Sequence, residues 1–297
     1  MSYRKIILLF GPTASGKSRL AIDIAKRLKG EIVNADSMQV YKEIKILSAR
    51  PSDRSIKHHL YGIVSAKDHF SVGLWYRQAI KKIIEINKKG KNAIVVGGTG
   101  LYFKILIDGL VEIPNVPKID HSNDVVGEYK KKYPKILEGI NLTDKQRVSR
   151  AISVYIHTGI SLNEWHKKEN RKYFNPDVFE KILLTPSKME LEKRIKKRFI
   201  KMLKKGAIKE VKDYTKLNLS PNSSYSANSI IGINEIGLFL EKTISMHELK
   251  EKVLIRTRQY AKRQFTWLRG QMKDWKGFTD TNYLDLRKKV LSYLSKT

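Results

Sequence analysis

Apolar residues along this chain follow two rhythms. The first is a set of continuous runs of strand length: Ile6-Ile7-Leu8-Leu9-Phe10, the stretch Glu31 to Asp36 around Ile32-Val33, Ala93-Ile94-Val95-Val96 within Lys91 to Tyr102, and Val178 to Leu184. Strands apolar on both faces suit a parallel sheet covered by helices on each side. The second is helical. From Val72 to Lys89, Leu74, Ala79, Ile80, Ile83 and Ile84 recur on one side while Lys81, Lys82, Lys88 and Lys89 face out, as in a crossover helix. After Lys181 to Pro186, a return strand to the core sheet, a long basic helix is predicted. Its Leu191, Ile195, Phe199 and Leu203 point inward, with Lys193, Arg194, Lys196, Lys197 and Arg198 outward. Strands alternating with helices predict an α/β fold, a parallel sheet flanked by helices.

Between Glu112 and about Pro186 the rhythm changes. Pro114 and Pro117 break the chain, and the lysine-rich segments 128–138 and 143–169 carry helical patterns. The predicted organisation is a core of residues 1–113 and 186–297 with a helical subdomain, 114–185, inserted into it. Residues 42–72 hold few periodic apolars. Lys57-His58-His59 there reads as surface, leading to a short strand Leu60 to Val64. The Asn- and Ser-rich loop 218–229, with Pro221, has too little apolar content for an element and is expected to be mobile, and Gly232-Ile233-Asn234-Glu235 opens another helix.

Candidate chemistry begins where the first strand ends. Gly11-Pro12-Thr13-Ala14-Ser15-Gly16-Lys17-Ser18 joins that strand to a helix predicted over Arg19 to Leu28. Glycines allow a tight backbone with inward amides, the helix start adds its positive end, Lys17 brings an ammonium, and the Ser18 hydroxyl suits a Mg²⁺ bridging phosphate oxygens. A polyphosphate is expected here. Asp36, at the carboxyl end of the next strand, is expected beside that loop, as a turn-capping residue or as a chemical one. After the Val95-Val96 strand comes Gly97-Gly98-Thr99 and not the Mg²⁺-binding Asp of many nucleotide hydrolases, which counts against an ATP motor.

Two further segments combine cations with other groups. Asp144, Gln146, Arg147, Ser149 and Arg150 open a helix whose apolar positions include Val148, Ala151 and Ile152, with two arginines placed to hold phosphates or to face solvent. Near the C-terminus, Leu254, Ala261, Phe265 and Leu268 form a core stripe, and Arg256, Tyr260, Arg263 and Trp267 form a cationic-aromatic stripe. Arg258, Lys262 and Arg269 make a solvated third.

Charge narrows the partner. Fifty-nine Lys and Arg against 29 Asp and Glu leave +30 in 297 residues, a field that favours a polyanion such as nucleic acid. Cysteine is absent, so disulfides and thiolate zinc sites are excluded. No signal pattern or apolar run of spanning length is present, and a cytoplasmic protein without membrane contact is expected.

Taken in order, GPTASGKS (11–18), DSMQVYK (36–42), VVGGTGLYF (95–103), DKQRVSRA (144–151) and TRQYAKRQFTWLRG (257–270) resemble the bacterial tRNA dimethylallyltransferases. The resemblance runs from about residue 5 to about residue 275. It implies transfer of the dimethylallyl group from dimethylallyl diphosphate to N6 of adenosine 37, in tRNAs reading codons that begin with U. It implies a diphosphate with Mg²⁺ on Gly11 to Ser18, Ser18 being the residue nearest the ion. Asp36 is the implied general base and Thr99 lies near the reacting centre. Asp36, Ser37, Met38, Gln39, Thr99 and Gln146 to Arg150 (Gln146, Arg147, Val148, Ser149, Arg150) would touch tRNA, joined by Arg256 and Arg263. A monomer is expected. One departure stands out: family members commonly show Gly-Tyr-Arg-Gln, with the arginine on the diphosphate, where this chain has Gly232-Ile233-Asn234-Glu235, and Arg256 or Arg258 is the candidate to compensate. The rival reading is a small-molecule or nucleotide kinase using ATP in the same loop, and a third is a basic RNA-binding protein with a vestigial loop.

Overall fold

All five residues of Ile6–Phe10 are at most 1% exposed, as expected for a strand covered on both faces. In the computed structural model, which describes residues 4–53, 55–114, 116–117, 123–217, 226–280 and 282–296, this strand is the fourth of six. The elements in chain order are β1 (Ile6–Phe10), α1 (Lys17–Arg27), β2 (Gly30–Asn34), β3 (His58–His59), α2 (Val72–Lys88), β4 (Asn92–Gly97), α3 (Gly100–Asp108), α4 (Asn123–Lys132), α5 (Lys145–Thr158), α6 (Leu162–Lys167), β5 (Phe179–Leu184), α7 (Lys188–Lys204), α8 (Ala207–Thr215), α9 (Ile233–Leu240), α10 (Met246–Gln271), β6 (Lys276–Phe278) and α11 (Tyr283–Leu294). The strand order is β3-β2-β4-β1-β5-β6, and every pairing is parallel. Ile6 faces Ala93 on one side and Phe179 on the other. The order changes direction around β1, so the loop after it opens at the carboxyl edge of the sheet, the usual ligand position.

Residues 1–107 and 174–297 form one compact unit and residues 108–173 another. The boundaries 114 and 185 read from the sequence therefore move to 108 and 173, because Phe179–Leu184 is a sheet strand and not part of the insertion. In the first unit, Ile7 and Leu9 pack with Leu20 and Ile24 of α1 and Leu286 and Val290 of α11. Each such fully buried aliphatic side chain contributes about 1.5–3 kcal/mol. The last helix is fastened to α1: Asp23 accepts from the Tyr283 hydroxyl and, at 2.9 Å, from Arg287, and Arg19 lies 3.6 Å from the Tyr283 ring centre. A second cluster joins Val40, Tyr41, Ile44 and Leu47 to Phe199 and Met202 of α7, Val211 of α8, Ile236 of α9 and Val253 of α10.

The second unit has its own small core of Ile136, Leu137, Val148, Ala151 and Ile152, flanked by Tyr129, Tyr133 and Tyr155. Asp144 caps α5 by accepting the Arg147 amide at 3.1 Å.

Several sequence expectations shift. The predicted strand Leu60 to Val64 is replaced by His58–His59 and a single bridge from Tyr41 to Val64. Leu60 adopts φ 64°, a left-handed conformation that ends extended pairing, while its carbonyl accepts from the Asn34 side chain at 3.0 Å. His59 is not a surface residue: it is 9% exposed and bonds to Glu31 at 2.7 Å, whose other oxygen takes Lys91 at 2.7 Å. Burial pushes the Glu31 carboxyl up, but the hydrogen bonds from Lys91 and His59 prevail and hold it at about 2. The mobile loop expected over 218–229 lies outside the described residues for 218–225, and 226–229 form a short 3₁₀ turn. Among the described residues no helix is long and apolar enough to cross a membrane.

Candidate active site

The loop from Gly11 to Ser18 has the backbone its glycines and position require. Gly16 adopts φ 93° and Ala14 φ 62°, both left-handed. Glycine adopts this conformation freely, whereas the strain held at Ala14 is of the kind that concentrates at functional loops. A Cβ on Gly11 would stand 2.5 Å from the Ser15 hydroxyl, so only glycine fits the first turn. Helix α1 starts without a side-chain cap, which leaves its first-turn amides to a bound anion. The Ser15 hydroxyl is buried and has no hydrogen-bond partner.

Beside the loop is a cavity of about 580 Å³. Its lining includes Thr13 to Ser18 with Asp36, Arg194, Arg198, Arg256 and Arg263, and the apolar Leu47, Phe199, Met202, Ile230 and Val253. Lys17 is 9% exposed and its ammonium donates to the Pro12 carbonyl at 3.3 Å. Burial pushes Lys17 down to about 8, against the pull of the Asp36 charge and with a further push from Arg198. Burial likewise lowers Arg198, again opposed by Asp36, and raises the Tyr260 hydroxyl, which stays a neutral phenol.

Asp36 is held by its sequence neighbours, Asn34 at the end of β2 and Met38 in the turn that follows. Its amide donates to the Asn34 side chain at 2.9 Å, and its own Oδ1 accepts the Met38 amide at 3.0 Å. Asn34 is fully buried, and its carbonyl accepts the Trp75 indole N–H at 2.7 Å. Thr99 works on the next residue: its hydroxyl accepts the Ser37 amide at 2.9 Å and donates to the Ser37 hydroxyl at 3.2 Å. Met38 and Gln39 line the cavity with Asp36, whereas Ser37 and Thr99 are not among its lining residues. Gln39 instead spends its amide on the Ser48 carbonyl at 2.8 Å. The neighbouring loop is organised by Glu210 of α8, which accepts the amides of Lys45, Ile46 and Leu47 at 2.7, 2.6 and 2.9 Å.

Two arginines read as solvated on α7 are in the site. Arg198 donates to the Thr13 hydroxyl at 2.7 Å, and Arg194 to the Ser15 carbonyl at 3.1 Å while Glu190 holds its Nε at 2.6 Å. Their spacing of four puts both on one helix face, rotated from the apolar stripe by less than the binary pattern assumed. Arginine at i and i+4 in a segment otherwise using lysine is the signal that marks them, since the planar fork suits fixed geometry. On α10, Arg256, Tyr260 and Arg263 line the cavity as their stripe predicts, but Trp267 packs against Gly100 instead. Asn234 is exposed. Its neighbour Glu235 is buried, accepts the Gly232 amide at 2.9 Å, and holds Arg256 in an ion pair.

Of the segment 146–150 in the second unit, Gln146 and Arg147 are exposed, and Arg147 pairs with Asp144 at 3.1 Å. Val148 and Ser149 are buried at 1% and 5%, so Val148 serves the core of that unit, and Arg150 is half-buried.

A parallel sheet whose first strand in the chain ends in an anion-ready loop, with a carboxylate just past the end of β2, one strand beyond β4, defines a P-loop α/β protein. Residues 39–271 match the IPP transferase family and residues 4–72 the isopentenyl transferase family. The tRNA dimethylallyltransferase of Pelagibacter ubique is 46% identical over 285 residues, 91% of this chain and 90% of that relative. A tRNA isopentenylpyrophosphate transferase of Bacillus halodurans superposes with a TM-score of 0.72 at 26% identity, over 99% of this chain and 96% of that one. A eukaryotic dimethylallyltransferase, solved acting on tRNA, gives a TM-score of 0.78 at 26% identity over 95% of this chain and 75% of that one. This chain belongs to the tRNA dimethylallyltransferase family, a family of prenyl-transferring enzymes.

Proposed function

We propose that this protein transfers the dimethylallyl group of dimethylallyl diphosphate to N6 of adenosine 37 in tRNAs reading codons that begin with U, in the cytoplasm. The observation that carries this reading is the mixed lining of the cavity. Its lining combines Lys17, Arg198 and the loop residues, suited to a diphosphate, with Leu47, Phe199, Met202, Ile230 and Val253, suited to a short hydrocarbon tail. Asp36 lies on the same cavity. The +30 charge supports a nucleic-acid acceptor.

The exocyclic amine of adenine is a weak nucleophile because its lone pair is delocalised into the ring. The Asp36 carboxylate takes its proton as the bond from N6 to the allylic carbon forms. The bond from that carbon to the diphosphate oxygen breaks, and the electron pair leaves with the diphosphate. Lys17, Arg198 and the loop amides absorb the developing charge. The base must first leave its stack, at a cost of a few kcal/mol, and an unpaired anticodon loop lowers that cost.

Mg²⁺ fits this donor set. Among the described residues no cluster of three or more His, Cys, Asp or Glu is arranged to hold a metal, so the Ser18 hydroxyl would be the protein's ligand, the rest of the shell being left to diphosphate and water, as suits an ion that keeps its waters. When bound, it would neutralise charge on the leaving group. Exposed Gln146 and Arg147, with half-buried Arg150, are proposed as tRNA contacts.

Protein incubated with Mg²⁺, unmodified tRNA and either labelled dimethylallyl diphosphate or labelled ATP tests the reading. Label entering tRNA only from the prenyl donor is the expected result. Label passing from ATP to a small metabolite would replace it with a kinase.

A further inference from the structure

Gln264 of α10 is 5% exposed, and its carboxamide spans two segments of the site. Oε1 accepts the Thr13 amide at 2.8 Å, and Nε2 donates to the Gly98 carbonyl at 2.7 Å. The first partner belongs to the phosphate loop after β1, the second to the turn after β4. One residue past Gly98, Thr99 holds the amide of Ser37, which follows Asp36. A path of three hydrogen bonds and two peptide links therefore joins the loop to the strand end that carries the carboxylate. A Cβ on Gly98 would stand 2.3 Å from Nε2, so this approach depends on glycine.

A carboxamide offers an acceptor and a donor side by side in one rigid plane. A carboxylate would set oxygen against the Gly98 carbonyl, and an aliphatic side chain would leave a buried N–H and a buried C=O without partners. Gln264 is not among the residues lining the cavity, so it acts on substrate only through the groups it holds.

We propose that Gln264 is a positioning residue for prenyl transfer: it fixes the spacing between the loop that holds the leaving diphosphate and the strand end that carries Asp36. The proposal rests on the transfer reaction given above. The allylic carbon is tied to the diphosphate and the accepting nitrogen to Asp36, so that spacing sets how closely the reacting atoms approach. A misplacement of about 1 Å costs on the order of 10²-fold in rate.

The test uses Gln264→Glu and Gln264→Met in the full chain, alone and combined with Asp36→Asn. Melting temperature, affinity for pyrophosphate with Mg²⁺, affinity for tRNA, and single-turnover transfer at saturating substrates are measured. The expected single variants are folded at the assay temperature, bind both ligands within about threefold of the parent, and transfer about 10²-fold more slowly. With Asp36→Asn present, the carboxylate that ties the accepting nitrogen to the strand end is gone, so the spacing no longer sets the approach of the reacting atoms, and the same substitution slows transfer by less than about threefold. Gln264→Glu keeps the Thr13 contact and the shape, and carries the test if Gln264→Met unfolds. Unfolding of both variants, a loss confined to affinity, parent-like turnover, or an equal loss in both backgrounds overturns the proposal. Parent protein that moves no prenyl label refutes the reaction itself, a result distinct from any failure of Gln264.

Discussion

The Arg198 guanidinium reaches from α7 to the Thr13 hydroxyl at 2.7 Å, bringing a cation from a late helix onto the phosphate loop of the first strand. Arg198→Ala removes a charge-assisted contact worth about 1.5–3 kcal/mol, so kcat/KM for the prenyl donor should fall about 10- to 100-fold. Affinity for tRNA should change far less. Steady-state kinetics at varied donor concentration checks this, and an unchanged kcat/KM would remove Arg198 from the diphosphate.

Asp36→Asn keeps the shape and the Met38 contact while abolishing the carboxylate proposed as the proton acceptor. Transfer should slow by about 10²- to 10⁴-fold, the usual contribution of general base catalysis. Gel-shift affinity for tRNA should be preserved. Near-normal single-turnover rates would mean that another group takes the N6 proton.

Lys17, held at about 8 by burial, should give diphosphate binding at the proposed donor site a pH dependence. An arriving diphosphate favours the ammonium and raises its pKa, so binding takes up a proton above pH 8. Affinity for pyrophosphate with Mg²⁺ should therefore weaken as pH rises through 8, and Lys17→Met should flatten that slope while weakening binding throughout. Calorimetric titrations from pH 7 to 9.5 would detect it, and an unchanged slope in Lys17→Met would assign the titration elsewhere.

At the end of β4, a Cβ on Gly97 would stand 1.9 Å from the Ala35 carbonyl oxygen. Gly97→Ala must push apart the strand ends that carry Thr99 and Asp36. Overpacking of this kind costs about 1–3 kcal/mol, or roughly 2–12 °C in melting temperature for a unit of this size. Gly270→Ala, whose Cβ would meet nothing within 4 Å, is the neutral control. Equal melting curves for the two variants would contradict the close approach.

The Glu31–His59–Lys91 cluster makes a prediction about acid stability. The Glu31 carboxyl is depressed from 4.5 to about 2, so its contribution is complete above pH 4.5 and drains away as pH falls toward 2. His59 is lowered from 6.5, chiefly by burial against the pull of Glu31, so its neutral form is favoured and stability declines as it is forced to charge below that pH. Both signs point the same way. Urea midpoints measured from pH 7 to pH 2.5 should fall with acid more steeply in the parent than in Glu31→Gln. Parallel curves would show that the cluster is not a source of acid sensitivity.

Much of the sheet was legible in the sequence because strands buried on both faces are written as unbroken apolar runs, as in Ile6 to Phe10 and Ala93 to Val96. The tight loop of residues 11–18 between strand and helix was legible because its glycines answer to local backbone geometry. What was missed depends on partners distant in sequence. Arg194 and Arg198 look like solvated charges until the loop near residue 15 is placed against them. His59 looks exposed until Glu31 lies on the neighbouring strand. Gln264 has no signature at all, being a polar residue on the buried stripe of α10 whose purpose lies in the Thr13 amide. Strand β6 and helix α11 were also unread, since three residues make too short a pattern and the helix holds its place partly through Asp23.

The position of β1 at the middle of the sheet bears on how the chain is made. Ile6 finds one neighbour at Ala93 and the other only at Phe179. At a synthesis rate of about 5–20 residues per second, the most apolar strand waits roughly 10 to 35 seconds on the ribosome before its second flank emerges. The unit of residues 108–173 is translated in that interval. Between the emergence of β4 and that of β5 the nascent protein therefore carries a half-built sheet edge, the kind of exposed apolar surface on which chaperones act.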